Sequence, residues 1–214
     1  MKALIFDLDG TLLYTLEDLK DCTNYALEKF GFSRRTLDEI REFVGNGLKM
    51  LVARALPEGS SDDLITSVLA ELKAYYIQHY HDKTVPYEGI LPMLAQLQSE
   101  GYPMAIVSNK ADPMVQLLRE LYFKDLIPVA VGERENISRK PAPDMVRAAL
   151  EALETQDACY IGDSEVDVLT ARNSGLPCLA VSWGFRSEEV LRNAGAEVIC
   201  PTPEALLNVI HSLS

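Results

Sequence analysis

Hydrophobic residues change their rhythm along this chain. Ala3-Leu4-Ile5-Phe6 is a short unbroken apolar run, the pattern of a strand buried on both faces. Behind Leu12-Leu13 the spacing becomes helical, with Leu16, Leu19, Ala26, Leu27 and Phe30 recurring three and four residues apart. The same spacing returns in Leu37, Ile40 and Val44, in Leu48, Leu51, Val52, Ala55 and Leu56, and in Leu64, Val68, Leu72 and Tyr75 or Tyr76. Residues 14–83 are therefore expected to be all-helical. Thr15 and Asp18 suit the cap of the first of these helices, and Gly31 its end.

From Pro86 the apolar residues regroup into short runs, Met104 to Val107, Ile127 to Val131, Ala158 to Ile161, Cys178 to Val181 and Glu197 to Ile199, each bounded by Gly, Pro, Asn, Asp or Ser. Helical spacing fills the intervals at about 90–100, 112–122, 142–153, 165–174, 187–194 and 203–213, with Thr202-Pro203 a start signal. Short strands alternating with crossover helices predict a parallel sheet. The expected fold is α/β: a doubly wound core, residues 1–13 and 84–214, interrupted after its first strand by an all-helical insertion, residues 14–83. An insertion rooted there is well placed to cover a site at the end of that strand, exclude water and add specificity contacts.

The 214 residues are 48% hydrophobic and 24% charged, without low-complexity runs or repeats, as expected of a globular protein with a substantial core. Twenty basic against thirty-two acidic residues give a net charge of -12. That field repels phosphate backbones and acidic membrane surfaces, so neither nucleic acid nor membrane is an expected partner. An anionic substrate would need a locally positive site, made by a bound cation and placed Lys, Arg or helix N-termini. Cys22, Cys159, Cys178 and Cys200 have no metal or redox spacing and read as reduced. Residues at the N-terminus lack the basic and apolar regions of an export signal, and no stretch approaches membrane-spanning length. A cytoplasmic protein, monomeric or homodimeric, is the expectation.

Candidate chemistry sits where the apolar runs end. Asp7-Leu8-Asp9-Gly10-Thr11 follows the first run and brings two carboxylates into a glycine turn, as a metal site or a surface hairpin could. Ser108-Asn109-Lys110 follows the second, offering either an oxyanion cradle or a cap for the next helix. Arg139-Lys140-Pro141-Ala142-Pro143-Asp144 carries a cation in a segment stiffened by two prolines, suited to neutralising a phosphoryl group or simply solvated. Gly162-Asp163-Ser164-Glu165-Val166-Asp167 places two acids four residues apart, on one face of an opening helical turn, to meet a hard cation or to complement a helix dipole. His79, His81 and His211 have no metal spacing, and Tyr160, Trp183 and Phe185 read as packing groups.

Taken together and in this order, DxDGT, SNK, the Lys-Pro segment and GDxxxD resemble the haloacid dehalogenase superfamily of aspartate-nucleophile phosphatases over essentially the whole chain. Phe43-Val44-Gly45-Asn46-Gly47, Pro86-Tyr87-Glu88-Gly89, Ile106 to Lys110 and Ile161 to Ser164 resemble its phosphoglycolate phosphatase branch, whose helical cap follows the first strand. The resemblance implies Asp7 as nucleophile, Asp9 as acid and base, and Lys140 with Ser108 and Asn109 around the phosphoryl group. It also implies Mg2+ held by Asp7, Asp163 and the backbone carbonyl of Asp9, with Asp167 bonding ligand waters or Lys140. Asn46 and Lys49 would be substrate contacts in the cap, or parts of an ordinary helix-hairpin turn. The implied activity is hydrolysis of a small phosphorylated metabolite, with 2-phosphoglycolate foremost. Sugar-phosphate phosphatases, pyrophosphatases and phosphomutases share much of the pattern, and a phosphate-binding regulatory protein is the non-enzymatic alternative. Where many relatives follow DGTL with Asp-Ser, Tyr14-Thr15 stands here.

Overall fold

The computed structural model describes residues 2–213. These form two compact units, one containing the chain through Leu13 and from Pro86 onward, the other Tyr14–Val85.

The first unit is built on six strands: β1 (Ala3–Phe6), β4 (Met104–Ala111), β5 (Val129–Glu133), β6 (Ala158–Gly162), β7 (Cys178–Val181) and β8 (Val198–Cys200). The remaining two, β2 (Leu13–Tyr14) and β3 (Val85–Pro86), pair as a short ribbon where the chain leaves and re-enters this unit. The six lie in the order β5-β4-β1-β6-β7-β8 and every pairing is parallel. Counted along the chain, that order is 3-2-1-4-5-6, doubly wound, with its reversal between β1 and β6. All four residues of β1 are buried, which is why it reads as continuous apolar sequence. Ala3, Ile5, Ala105, Val107, Val131, Ala158 and Tyr160 pack with Met145, Val146, Ala149 and Leu150 of α7 (Asp144–Ala152). Elsewhere in this unit run α5 (Ile90–Ser99), α6 (Asp112–Tyr122), α8 (Glu165–Asn173), α9 (Glu188–Ala194) and α10 (Pro203–Ser212).

The second unit holds α1 (Leu16–Lys29), α2 (Leu37–Phe43), α3 (Gly47–Ala55) and α4 (Asp62–His79). Helix α1 packs on α2 and α4, and α3 on the same two. Its buried positions include Leu19, Leu27, Ile40, Leu51, Val52, Val68, Leu72 and Tyr76, the stripes that the spacing marked out. Gly31, at φ +77°, ends α1: its N–H reaches Glu28 O and that of Phe32 reaches Leu27 O, a left-handed turn that glycine adopts without strain. The start of α1 departs from expectation. Thr15 has helix-like angles, φ -107° and ψ -1°, so its hydroxyl makes no cap hydrogen bond. Asp18 is drawn instead to the returning chain, accepting from the N–H groups of Lys83 and Thr84 and from the Thr84 hydroxyl.

Two further local expectations are corrected. Strand β4 does not end at Val107 but runs through Ser108-Asn109-Lys110 to Ala111, with a break in its register against β5. Ser108 and Asn109 therefore do not cap α6, whose preceding residue is Ala111. Asp163 is not on the opening turn of α8, because Ser164, extended at φ -131° and ψ 164°, stands between it and the helix. Among the described residues no helix is long and apolar enough to cross a membrane.

Candidate active site

The reversal point of the sheet gathers the acidic side chains. Asp7 is the first residue beyond β1, and its N–H donates to Ile161 O at 2.8 Å, fixing it level with the end of β6. Asp163 is the first residue beyond β6. Asp7, Asp163 and Asp167, all buried, each place a carboxylate oxygen within 4.8 Å of the others. Such convergence at the carboxyl ends of parallel strands is where doubly wound sheets hold ligands.

Lys140, in the loop between β5 and α7, supplies the counter-charge. Its Nζ donates to Asp7 Oδ1 at 2.7 Å, to Asp167 Oδ1 at 2.8 Å and to the Tyr160 hydroxyl at 3.1 Å. Asn109 fixes the loop by accepting from the Lys140 N–H at 2.8 Å and donating to the Lys140 carbonyl at 3.1 Å. An ammonium has three protons, and here each has a named acceptor. Asp167 is equally committed, since its second oxygen accepts from the Ser164 N–H at 3.0 Å and hydroxyl at 2.6 Å. It thus anchors Lys140 and ties down the start of α8 together.

Asp163 accepts from the Thr11 hydroxyl at 3.1 Å and the Phe185 N–H at 2.7 Å. Backbone crowds it from two sides. A Cβ on Gly10 (φ +93°) or on Gly184 would lie 2.3 Å from Asp163 atoms, so only glycine lets these loops approach. Asp9, two residues beyond Asp7, accepts at Oδ1 from Lys110 Nζ at 2.6 Å. Ser108 is buried, and its hydroxyl accepts from the Lys110 N–H at 3.2 Å.

Three carboxylates crowd this cluster: Lys140 pairs with Asp7 and Asp167, while the Arg186 guanidinium bears on Asp163. Burial pushes the Asp7 carboxyl well above the ordinary range; Lys140 pulls it back, while Asp167 and Asp163 add to the rise. Burial and neighbouring Asp167 push Asp163 up to about 7. For Lys140 burial works against the charge, but Asp167 and Asp7 outweigh it and hold the ammonium well above a usual lysine. A buried, oxygen-only, under-neutralised group of acids is the donor set that suits a hard divalent cation, so the residues fit Mg2+.

Of the sequence-identified residues, Asp7, Lys140, Asp163 and Asp167 meet in one cluster, Asn109 grips its loop, and Asp9 pairs beside it with Lys110. Asn46 and Lys49 belong to the helical unit. There Asn46 precedes α3 and accepts from Arg54 Nη2 at 2.9 Å, and Lys49 is exposed on the first turn. Sequence reasoning missed Tyr160, read as packing, whose hydroxyl bonds Lys140 and also Asp167 at 3.1 Å. Its signal was a lone hydroxyl inside an otherwise apolar strand. Phe185 likewise contributes through its backbone N–H, and the indole of Trp183 bonds Thr11 O at 3.0 Å, bracing the turn that follows Asp7.

Comparison with known proteins agrees with the fold. Residues 4–181 match the haloacid dehalogenase-like hydrolase family. A phosphoglycolate phosphatase of Rhodobacter capsulatus is 36% identical over 188 residues, covering 86% of this chain and 85% of the relative. One from Aliivibrio fischeri is 30% identical over 219 residues, covering 98% and 96%. A crystal structure of a candidate phosphoglycolate phosphatase from Lactobacillus delbrueckii subsp. bulgaricus superposes with a TM-score of 0.94 at 39% identity, covering 98% of both chains. With its sheet order, its acidic cluster and this match over most of its length, the chain belongs to the haloacid dehalogenase-like hydrolase family.

Proposed function

We propose that this protein is a magnesium-dependent phosphatase acting on a small phosphate monoester, with 2-phosphoglycolate as its foremost substrate, through an aspartyl phosphate on Asp7. The observation that carries the reading is the buried Lys140 ammonium, 2.7 Å from Asp7 and 2.8 Å from Asp167, with Asp163 in the same cluster. The substrate choice is supported by relatives named phosphoglycolate phosphatase at 36% and 30% identity.

An Asp7 carboxylate oxygen attacks phosphorus as the ester P–O bond breaks, and the departing oxygen takes a proton from Asp9. Water then gives a proton to Asp9 and attacks the same phosphorus, releasing inorganic phosphate and restoring Asp7. Lys140 offsets charge on the nucleophile and on the phosphoryl oxygens, Ser108 hydrogen-bonds those oxygens, and Asn109 keeps Lys140 in place. Asp7, Asp163 and the backbone carbonyl of Asp9 would hold Mg2+, with Asp167 bearing on it through Lys140. When bound, the cation supplies positive charge that lets an anionic ester approach the carboxylates.

A panel of phosphorylated metabolites, ranked by kcat/KM with and without Mg2+, tests the proposal. 2-Phosphoglycolate should lead, with phosphate released to water and no isomerised product. Asp7→Asn should keep the fold and lose about 10⁴-fold or more in turnover. Near-normal turnover in that variant removes Asp7 from the role of nucleophile.

A further inference from the structure

Lys140 and Lys110 are both ammonium groups that hydrogen-bond an acid of the Asp7-Leu8-Asp9 loop. The three protons of Lys140 go to Asp7, Asp167 and Tyr160 within the cluster. Lys110 pairs with Asp9 at 2.6 Å, its side chain 7% exposed and that of Asp9 15%. It comes from the end of β4, where the register against β5 breaks between Val107 and Ala111. Such irregularities redirect side chains at the rim of a sheet.

The inference rests on the reading of Asp9 as the acid that protonates the departing oxygen. An acid in that role must touch that oxygen. In 2-phosphoglycolate a single methylene separates it from the substrate's own carboxylate. A cation seated on Asp9 is therefore beside the place the substrate carboxylate must occupy. That place needs a cation, because the chain carries a net charge of -12 and three acids cluster next to it. One ammonium can serve two carboxylates at once, as Lys140 does with Asp7 and Asp167.

We propose that Lys110 determines specificity: it holds Asp9 and, in the substrate complex, also binds the carboxylate of a phosphorylated 2-hydroxy acid. The test compares 2-phosphoglycolate with 2-hydroxyethyl phosphate, which has the same departing oxygen and a hydroxymethyl group in place of the carboxylate. Wild type should prefer 2-phosphoglycolate in kcat/KM. Lys110→Met should lose on the order of 10- to 100-fold more on 2-phosphoglycolate than on 2-hydroxyethyl phosphate, chiefly in KM, and Lys110→Arg should retain most of the preference. Lys110→Gln provides the same ratio should the Met variant fold poorly. Equal losses on both esters overturn the proposal and reduce Lys110 to a support for Asp9. Equal wild-type rates on the two esters overturn it too while leaving the phosphatase reading intact, whereas no turnover of either overturns both.

Discussion

Asp18 in the helical unit and Asp163 at the sheet reversal are both buried carboxylates, 2% and 1% exposed, held by nearby donors. Their surroundings differ in charge. Asp18 is gripped by two backbone N–H groups and a hydroxyl contributed by the adjacent residues Lys83 and Thr84. Asp163 has two such donors, but it shares its site with Asp7 and Asp167, and Lys140 pairs with those two rather than with Asp163. The first arrangement closes a chain segment onto a helix and is complete as it stands. In the second, the repulsion is left for a cation and a substrate to use. A buried carboxylate reads as structural where neutral donors satisfy it alone, and as chemical where further carboxylates crowd it.

Three experiments sharpen that contrast. Lys140→Ala should have the largest effect, since it leaves the acids without their counter-ion: kcat/KM should fall about 10³-fold and stability at pH 7.5 by about 3 kcal/mol. Denaturant unfolding at pH 5.5 should recover part of that stability as acids of the cluster take up protons. A loss of the same size at both values would count against electrostatic crowding as its cause. Asp18→Ala comes next. Orphaning its buried donors should cost about 2–3 kcal/mol in unfolding free energy, with kcat on 2-phosphoglycolate within about twofold of wild type. A collapse of kcat at unchanged stability would erase the distinction between the two aspartates.

The smallest effect concerns pH and metal. Burial and the neighbouring Asp167 push the Asp163 carboxyl up to about 7, above the ordinary carboxylate value near 4, so between these values the folded state holds a proton that the unfolded chain has released. Its contribution to stability is therefore full below about pH 4 and is lost as pH rises through about 7. In the proposed site Mg2+ would compete with that proton, so 10 mM Mg2+ should raise Tm by about 3 °C at pH 8 and by under about 1 °C at pH 5. Thermal unfolding with Mg2+ or EDTA at both values reads this directly, and a larger gain at the acid value would contradict the assignment.

How much was legible in advance follows from the range of each interaction. The apolar run Ala3-Leu4-Ile5-Phe6 marked β1, and the three- and four-residue spacing marked helices such as α1 and α4, because burial imposes its period on local sequence. Asp7, Lys140, Asp163 and Asp167 stood out because each motif carries its own local oddity, acids or a cation at the end of an apolar run or in a proline-stiffened segment. Thr15 misled because a capping residue is useful only with extended backbone angles, and the fold gives it helical ones. Ser108 and Asn109 misled in the other direction, since a strand that overruns its hydrophobic stretch leaves no apolar trace.

By itself, then, the sequence determined the kind and order of the main elements and set out a short list of candidate side chains, each marked by residues close to it in the chain. The tertiary structure alone decided which partners those side chains have: Tyr160 on Lys140 across 20 positions, Lys110 on Asp9 across 101, Thr11 on Asp163 across 152. Strand register and loop approach set those pairings, and both depend on how distant segments pack rather than on any local pattern.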